Sequence, residues 1–153
     1  MRLRNSLSVL AVGLTLVTGL SACSGDGDGA ARGKPTNCTN KIVHEDATRV
    51  SVWAWYPNMA KVVDNFNNGH PDLQICWTNA GQGQPEYAKF QTAVSAKKGA
   101  PDVIMLEADQ LVGFEIQDAL VDLAPYGAND VKQNFSEGAW KDVSQGGAVY
   151  AIP

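Results

Sequence analysis

Asp102, Glu107 and Asp109 are three acids close together in the chain, and two carboxylates flanking a glycosidic bond are the tools of glycoside hydrolysis. Their placement argues against it. Asp102 precedes the apolar run Val103–Leu106 and Glu107 follows it, so the strand that this run predicts holds the two acids at opposite ends. No Gly-x-Ser-x-Gly elbow offers a nucleophilic serine, and no Gly-x-Gly-x-x-Gly follows the first predicted strand to cradle a dinucleotide. His44 and His70 are isolated, with no Cys-x-x-Cys or His-x-x-x-His spacing for zinc. The sequence therefore predicts no enzyme, no metal and no cofactor. Binding chemistry is better supplied. Trp53 and Trp55 share one face of the first predicted strand, and Trp55, nearer its carboxyl end, offers an apolar ring face to the C–H groups of a pyranose. Trp53 reads as core, as do Trp77 and Trp140. Tyr56 and Asn58 sit in the following turn, within reach of a ligand. Gln82 and Gln84 carry amides, versatile partners for hydroxyls, on a loop that either approaches a cleft or is a solvated surface.

These residues need a scaffold, and the hydropathy pattern describes one. Arg49–Tyr56 (RVSVWAWY) alternates and is rich in β-branched and aromatic residues, a strand. Pro57-Asn58 breaks it, and Asn58 is placed to cap a helix over Met59–Asn67. Met59, Val62, Val63 and Phe66 form the apolar face of that helix, and Gly69 and Pro71 close it. Leu73–Thr78 is a second strand. After the Asn79–Pro85 loop comes a helix, Glu86–Lys98, with Tyr87, Phe90, Val94 and Ala93 inward. The apolar run Asp102–Leu106 predicts a third strand covered on both faces. Asp109–Asp118 follows as a helix with Leu111, Val112, Phe114 and Ile116 as its apolar members. Short helices around Phe135 and Trp140 precede a last strand, Ala148–Ile152. Strand and helix alternating in this way predict an α/β fold with a mainly parallel sheet flanked by helices. Ligands of such sheets bind at the carboxyl ends of the strands, here residues 55–57, 79–83 and 107–109.

The start of the chain has its own logic. A basic head, Met1–Arg4, precedes an apolar run from Leu7 to Leu20, the form of a secretory signal over residues 1–22. The run is too short to span a bilayer as a permanent helix. Leu20-Ser21-Ala22-Cys23 resembles the lipobox of bacterial lipoproteins, in which the cysteine becomes the first mature residue and carries the lipid; the alternative is cleavage near Ala22 with Cys23 a bystander. Residues 24–35 (SGDGDGAARGKP) have no large apolar side chain and read as a flexible tether. The expected organisation is leader 1–22, lipidated Cys23 and tether to residue 37, and one small domain over 38–153. The whole chain has 12 basic and 16 acidic side chains, a net charge of −4. Removing Arg2 and Arg4 with the leader makes it −6, which disfavours nucleic acid as a partner. Cys38 and Cys76 remain as an even pair in an oxidising compartment, either bridged or free.

The segments VSVWAWYPNMAKVVDNFNNGHPDLQI, YAKFQTAVSAKKGAPDVIMLEADQL, FEIQDALVDLAPYG and GGAVYAIP, in that order, resemble the extracellular solute-binding proteins of ABC sugar importers, the maltose-binding-protein-like group. The resemblance covers about residues 48–153. It implies two α/β lobes closing on a sugar or oligosaccharide, a permease in the membrane as partner, and a lipid-anchored location on the outer face of the bacterial cell membrane. It also implies that Asp109, just past the third strand, accepts hydrogen bonds from sugar hydroxyls, with Glu107 a similar candidate; Asp109 as a helix N-cap is the competing reading. The family runs much longer than 153 residues, so the chain resembles the opening part of lobe one with the second lobe absent, and weak or no sugar binding by this part alone is expected. A non-binding remnant is the alternative, and an anchored carbohydrate-active hydrolase a more distant one.

Overall fold

The computed structural model describes residues 34–153. The leader, Cys23 and most of the tether lie outside the described residues. Three strands, β1 (Thr48–Trp53), β2 (Leu73–Thr78) and β3 (Val103–Ile104), form one sheet in the order β2-β1-β3. Both pairings are parallel, with Val52 opposite Trp77 on one side and Val103 on the other. The connections are helical: α1 (Met59–Gly69) from β1 to β2, and α2 (Gln84–Ala96) from β2 to β3. Helix α3 (Ala108–Glu115) follows β3.

The alternation of each strand divides its side chains between two cores. Val50, Val52 and Ala54 of β1 and its extension join Ile75, Trp77 and Met105 on one face, packed with Val63 and Met59 of α1. Trp53, Trp55, Ile104 and Leu106 point to the other face, against Tyr87 and Phe90 of α2 and Phe114 of α3. The result is three layers, helix on sheet on helix. A separate cluster of Ala128, Trp140 and Val149 is built by the 3-10 segment Ala128–Asn134, helix α4 (Glu137–Asp142) and an antiparallel hairpin of β4 (Ser144–Gln145) and β5 (Ala148–Val149). Its turn, Gly146-Gly147, has φ of 60° and 97°, the left-handed conformation that glycine takes without cost and that matches the twist of hairpin strands. Asp122 Oδ1 accepts from Val149 N and Ala124 N, both at 2.9 Å, and these two amides hold its carboxyl below the usual range.

The outer edge of β2 is closed by the chain that precedes the sheet. Cys38 and Cys76 form a disulfide. Thr39 N donates to Trp77 O at 2.6 Å, and the Asn40 amide both accepts from Trp77 N and donates to Ile75 O. Asn67 of α1 makes the same two-way bond to Ile75, at 2.7 and 3.0 Å. Gln74, fully buried, accepts from Val43 N and donates to Asn67 O and His70 O.

Several local expectations need correction. The third strand is two residues long, not five, and Val103 is 51% exposed. Among the described residues it is the sheet's edge, with no strand paired on its outer side. Val62 is 52% exposed and Asn67 takes its place inside, because α1 turns the Val63–Asn67 stripe to the sheet. Val112 and Ile116 also face outward; Leu111 and Phe114 make the contact of α3. Asn58 occupies the N-cap position of α1, but with φ 66° and no side-chain bond to the helix; Lys61 N and Val62 N donate to its backbone oxygen instead. The last strand ends at Val149 and pairs in the hairpin, not with the parallel sheet. Among the described residues, no helix is long and apolar enough to cross a membrane.

Candidate functional site

The carboxyl ends of three parallel strands lie side by side, so the chain leaves β1 at Ala54–Asn58, β2 at Asn79–Gly83 and β3 at Met105–Asp109 along one edge. One line of contacts connects them. The Trp55 ring meets Tyr87 edge to face, with centroids 5.6 Å apart and planes at 67°, a favourable aromatic arrangement. The Tyr87 hydroxyl donates to Glu107 Oε2 at 3.0 Å and accepts from Glu107 N at 3.1 Å. Tyr87 is 3% exposed. Burial raises its phenol pKa, and the Glu107 and Asp109 carboxylates add to this against the opposing pull of the Glu107 amide. The phenol therefore stays a donor, and it fixes the Glu107 carboxylate at the mouth of the edge.

Trp55 and Glu107 are thus brought together through Tyr87, which the helix periodicity reads only as packing. Trp55 is half-buried, with part of its ring in the core beside Trp53. Tyr56 stands 59% exposed beside it. Glu107 holds the N-cap position of α3, and Asp109 lies in that helix's first turn; N-capping is therefore not the role of Asp109. Its carboxylate is exposed at the helix start, where partial positive charge favours an anion. Asn58 and Gln82 are exposed in their loops on the same edge. Trp77 is core, its indole N–H donating to Ala54 O at 2.7 Å, and Trp140 is core as well. Among the described residues no group of three or more His, Cys, Asp or Glu could hold a metal ion. A shallow depression of about 450 Å³ lies at the opposite, amino-terminal end of the sheet, lined by Val43–Thr48, Pro71 and Asp72.

One functional-edge residue escapes the sequence reading. Glu86, on the first turn of α2, is completely buried. Glu86, Phe90 and Ala93 are all buried and fall on one helical stripe, and that spacing is the signal that could have found it.

A three-layer lobe with parallel strands, aromatic and acidic at its carboxyl edge, defines the class: an α/β fold of the periplasmic-binding-protein type. Solved structures agree. The chain superimposes with a TM-score of 0.65 and 27% identity on the ABC-transporter-associated binding protein of B. animalis subsp. lactis in complex with β-1,6-galactobiose, covering 70% of this chain and 26% of that one. It matches the GacH receptor of Streptomyces glaucescens, solved without ligand and with acarbose, at a TM-score of 0.60 and 25% identity, covering 69% and 28%. The maltodextrin-binding protein MalE1 of L. casei matches at 0.59 and 25%, covering 70% and 29%. An uncharacterized lipoprotein from the oleD 5′ region of Streptomyces antibioticus is 29% identical over 105 residues, 65% of this chain and 23% of that protein. No family model matches. These neighbours include a binding protein associated with an ABC transporter and a maltodextrin-binding protein, and the chain spans only 26–29% of their length.

Proposed function

We propose that the chain is part of the substrate-binding lipoprotein of an ABC transporter and captures a sugar or oligosaccharide for import. The observation that carries this is the Trp55–Tyr87–Glu107 line at the carboxyl edge of a parallel sheet. An aromatic face beside a fixed carboxylate suits a ring with apolar C–H groups on one side and hydroxyls at its rim. Trp55 stacks on the sugar, Glu107 and Asp109 accept hydrogen bonds from its hydroxyls, and Tyr56, Asn58 and Gln82 complete the wall. The role is capture, without catalysis. In this reading residues 1–22 are removed on export, Cys23 carries the lipid, the tether runs to residue 37, and residues 38–153 form the opening part of lobe one. The lipid holds the protein on the extracytoplasmic face of the membrane beside its permease subunits, and the likeness to a Streptomyces lipoprotein supports that placement. One wall gives one side of a clamp, so affinity for this chain alone is weak, with a Kd on the order of 10 mM or above.

Backbone amide NMR titration with β-linked and α-linked disaccharides tests the reading. Shifts should concentrate at residues 55–58, 82 and 107–109 and vanish in Trp55→Ala. Shifts that map to the Val43–Asp72 depression, or shifts that persist unchanged in Trp55→Ala, would refute it.

A further inference from the structure

Among the described residues three polar side chains are fully buried, Asn67, Gln74 and Glu86, and they are not alike. Asn67 and Gln74 are hydrogen-bonded at both ends of their amides. Both carboxyl oxygens of Glu86 are buried and close no well-formed hydrogen bond; the Ala80 amide and the Lys89 ammonium are the groups that face them. The cover over Glu86 is the loop that carries Gln82. Ala80 is buried, and Gly81, at φ 146°, lies so close that a Cβ there would stand 3.0 Å from Glu86 N and 3.1 Å from Pro85 Cβ. Asn79 Oδ1 accepts from Gly81 N, and Gly83 O accepts from Glu86 N at 2.9 Å and Tyr87 N at 3.1 Å. From one turn further along α2, Lys89 Nζ donates to Ala80 O. The loop is therefore pinned at several points to the first turns of α2, with a fully buried carboxyl beneath it.

From this geometry we infer that Glu86 is a proton-operated latch on the 79–85 loop: protonated, it lets the loop close on α2, and ionised, it drives the loop open and moves Gln82 off the ligand wall. The consequence for ligand rests on the sugar-binding reading above; the latch itself does not. A neutral carboxyl is buried at modest cost, whereas a carboxylate whose desolvation outweighs the pulls of the Ala80 amide and Lys89 is buried at a larger one. Lys89 is the charge facing it from its own helix, and residues 79–85 carry none. Burial pushes the Glu86 pKa up from 4.5 to about 7, against the opposing pulls of the Ala80 amide and the Lys89 ammonium. The closed pKa lies above the open one, so closure is fully favoured below pH 4.5 and is lost as pH rises toward 7. Each unit of difference is a factor of ten, so the closed-to-open ratio falls roughly a hundredfold across that window.

NMR of the full chain, carbon-labelled at Glu carboxyls and nitrogen-labelled at Gly, tests the latch without sugar, so its failure is distinct from failure of the sugar reading. The Glu86 carboxyl should titrate well above 4.5 and below about 7, and the Gly81 and Gly83 amides should move with the same midpoint. Glu86→Gln, a neutral isostere, should hold both glycine signals at their low-pH positions from pH 5 to 8. A Glu86 midpoint near 4.5, glycine signals flat in the native chain, or glycine signals that still titrate in Glu86→Gln would overturn the inference. Should Glu86→Gln not fold, the native carboxyl midpoint and the two glycine signals decide the matter alone.

Discussion

Tyr87 does two jobs with one ring. Its face and edge pack with Trp55 and Phe90, and its hydroxyl closes a two-way bond with the side chain and backbone of Glu107. Tyr87→Phe keeps the packing and removes the hydroxyl. It leaves Glu107 N–H without its acceptor and the carboxylate without its donor, at a cost of about 1–2 kcal/mol. Urea unfolding followed by circular dichroism should show that loss as a lower midpoint with an unchanged slope. A midpoint within error of the native chain would mean that water replaces the hydroxyl without penalty. The sequence names Tyr87 as inward-facing from its helical spacing with Phe90 and Val94. It cannot name Glu107 as the partner, because the two residues meet only when α2 and the end of β3 are packed together.

Among the elements, the segment 38–40 has the most to show. It has no strand of its own, yet it satisfies the outer edge of β2 through Thr39 and Asn40, and the disulfide to Cys76 pins it there. An uncovered edge invites pairing with other chains; here the protein's own leading segment occupies it. The bridge joins residues separated by 38 positions, so the loop-entropy estimate gives about 3–4 kcal/mol of stabilisation. Cys38→Ser with Cys76→Ser should lower stability by that amount in urea, and hydrogen exchange at Trp77 should quicken as its Asn40 acceptor frees itself. Unchanged exchange at Trp77 would show that the side-chain amides hold the segment unaided. Helix α1 teaches a different lesson. A fourfold apolar stripe predicts Val62 inside, but the sheet contacts a narrower strip that includes Val63 and Asn67. Asn67 wins the buried position because Ile75 N and O on the sheet edge need partners, and a satisfied amide there outweighs the burial of one more methyl pair.

At the scale of the whole molecule, the proposed leader and anchor and the lobe fit one reading. A tethered receptor needs export, an anchor and a domain that binds on the outer side. Growth with labelled palmitate should label the chain at Cys23, and Cys23→Ser should remove the label and release the protein from the membrane fraction. Label retained in Cys23→Ser would move the anchor elsewhere. Much of this architecture is legible without coordinates. The 3.6-residue and two-residue periodicities identify the three strands and three helices of the lobe and their parallel arrangement, because backbone geometry alone turns those spacings into faces. The order of strands at the centre, β2-β1-β3, and the shortness of β3 depend on what lies beside each strand, which no local window contains. So does the burial of Glu86: its type predicts a solvated surface, and only the fold of the 79–85 loop over α2 removes the water. The lobe class and the strand ends that form its carboxyl edge follow from side-chain type and spacing along the chain. The contacts that aim Glu107, seal β2 and isolate Glu86 were decided in three dimensions, because each joins residues far apart in sequence whose distance is set only by packing.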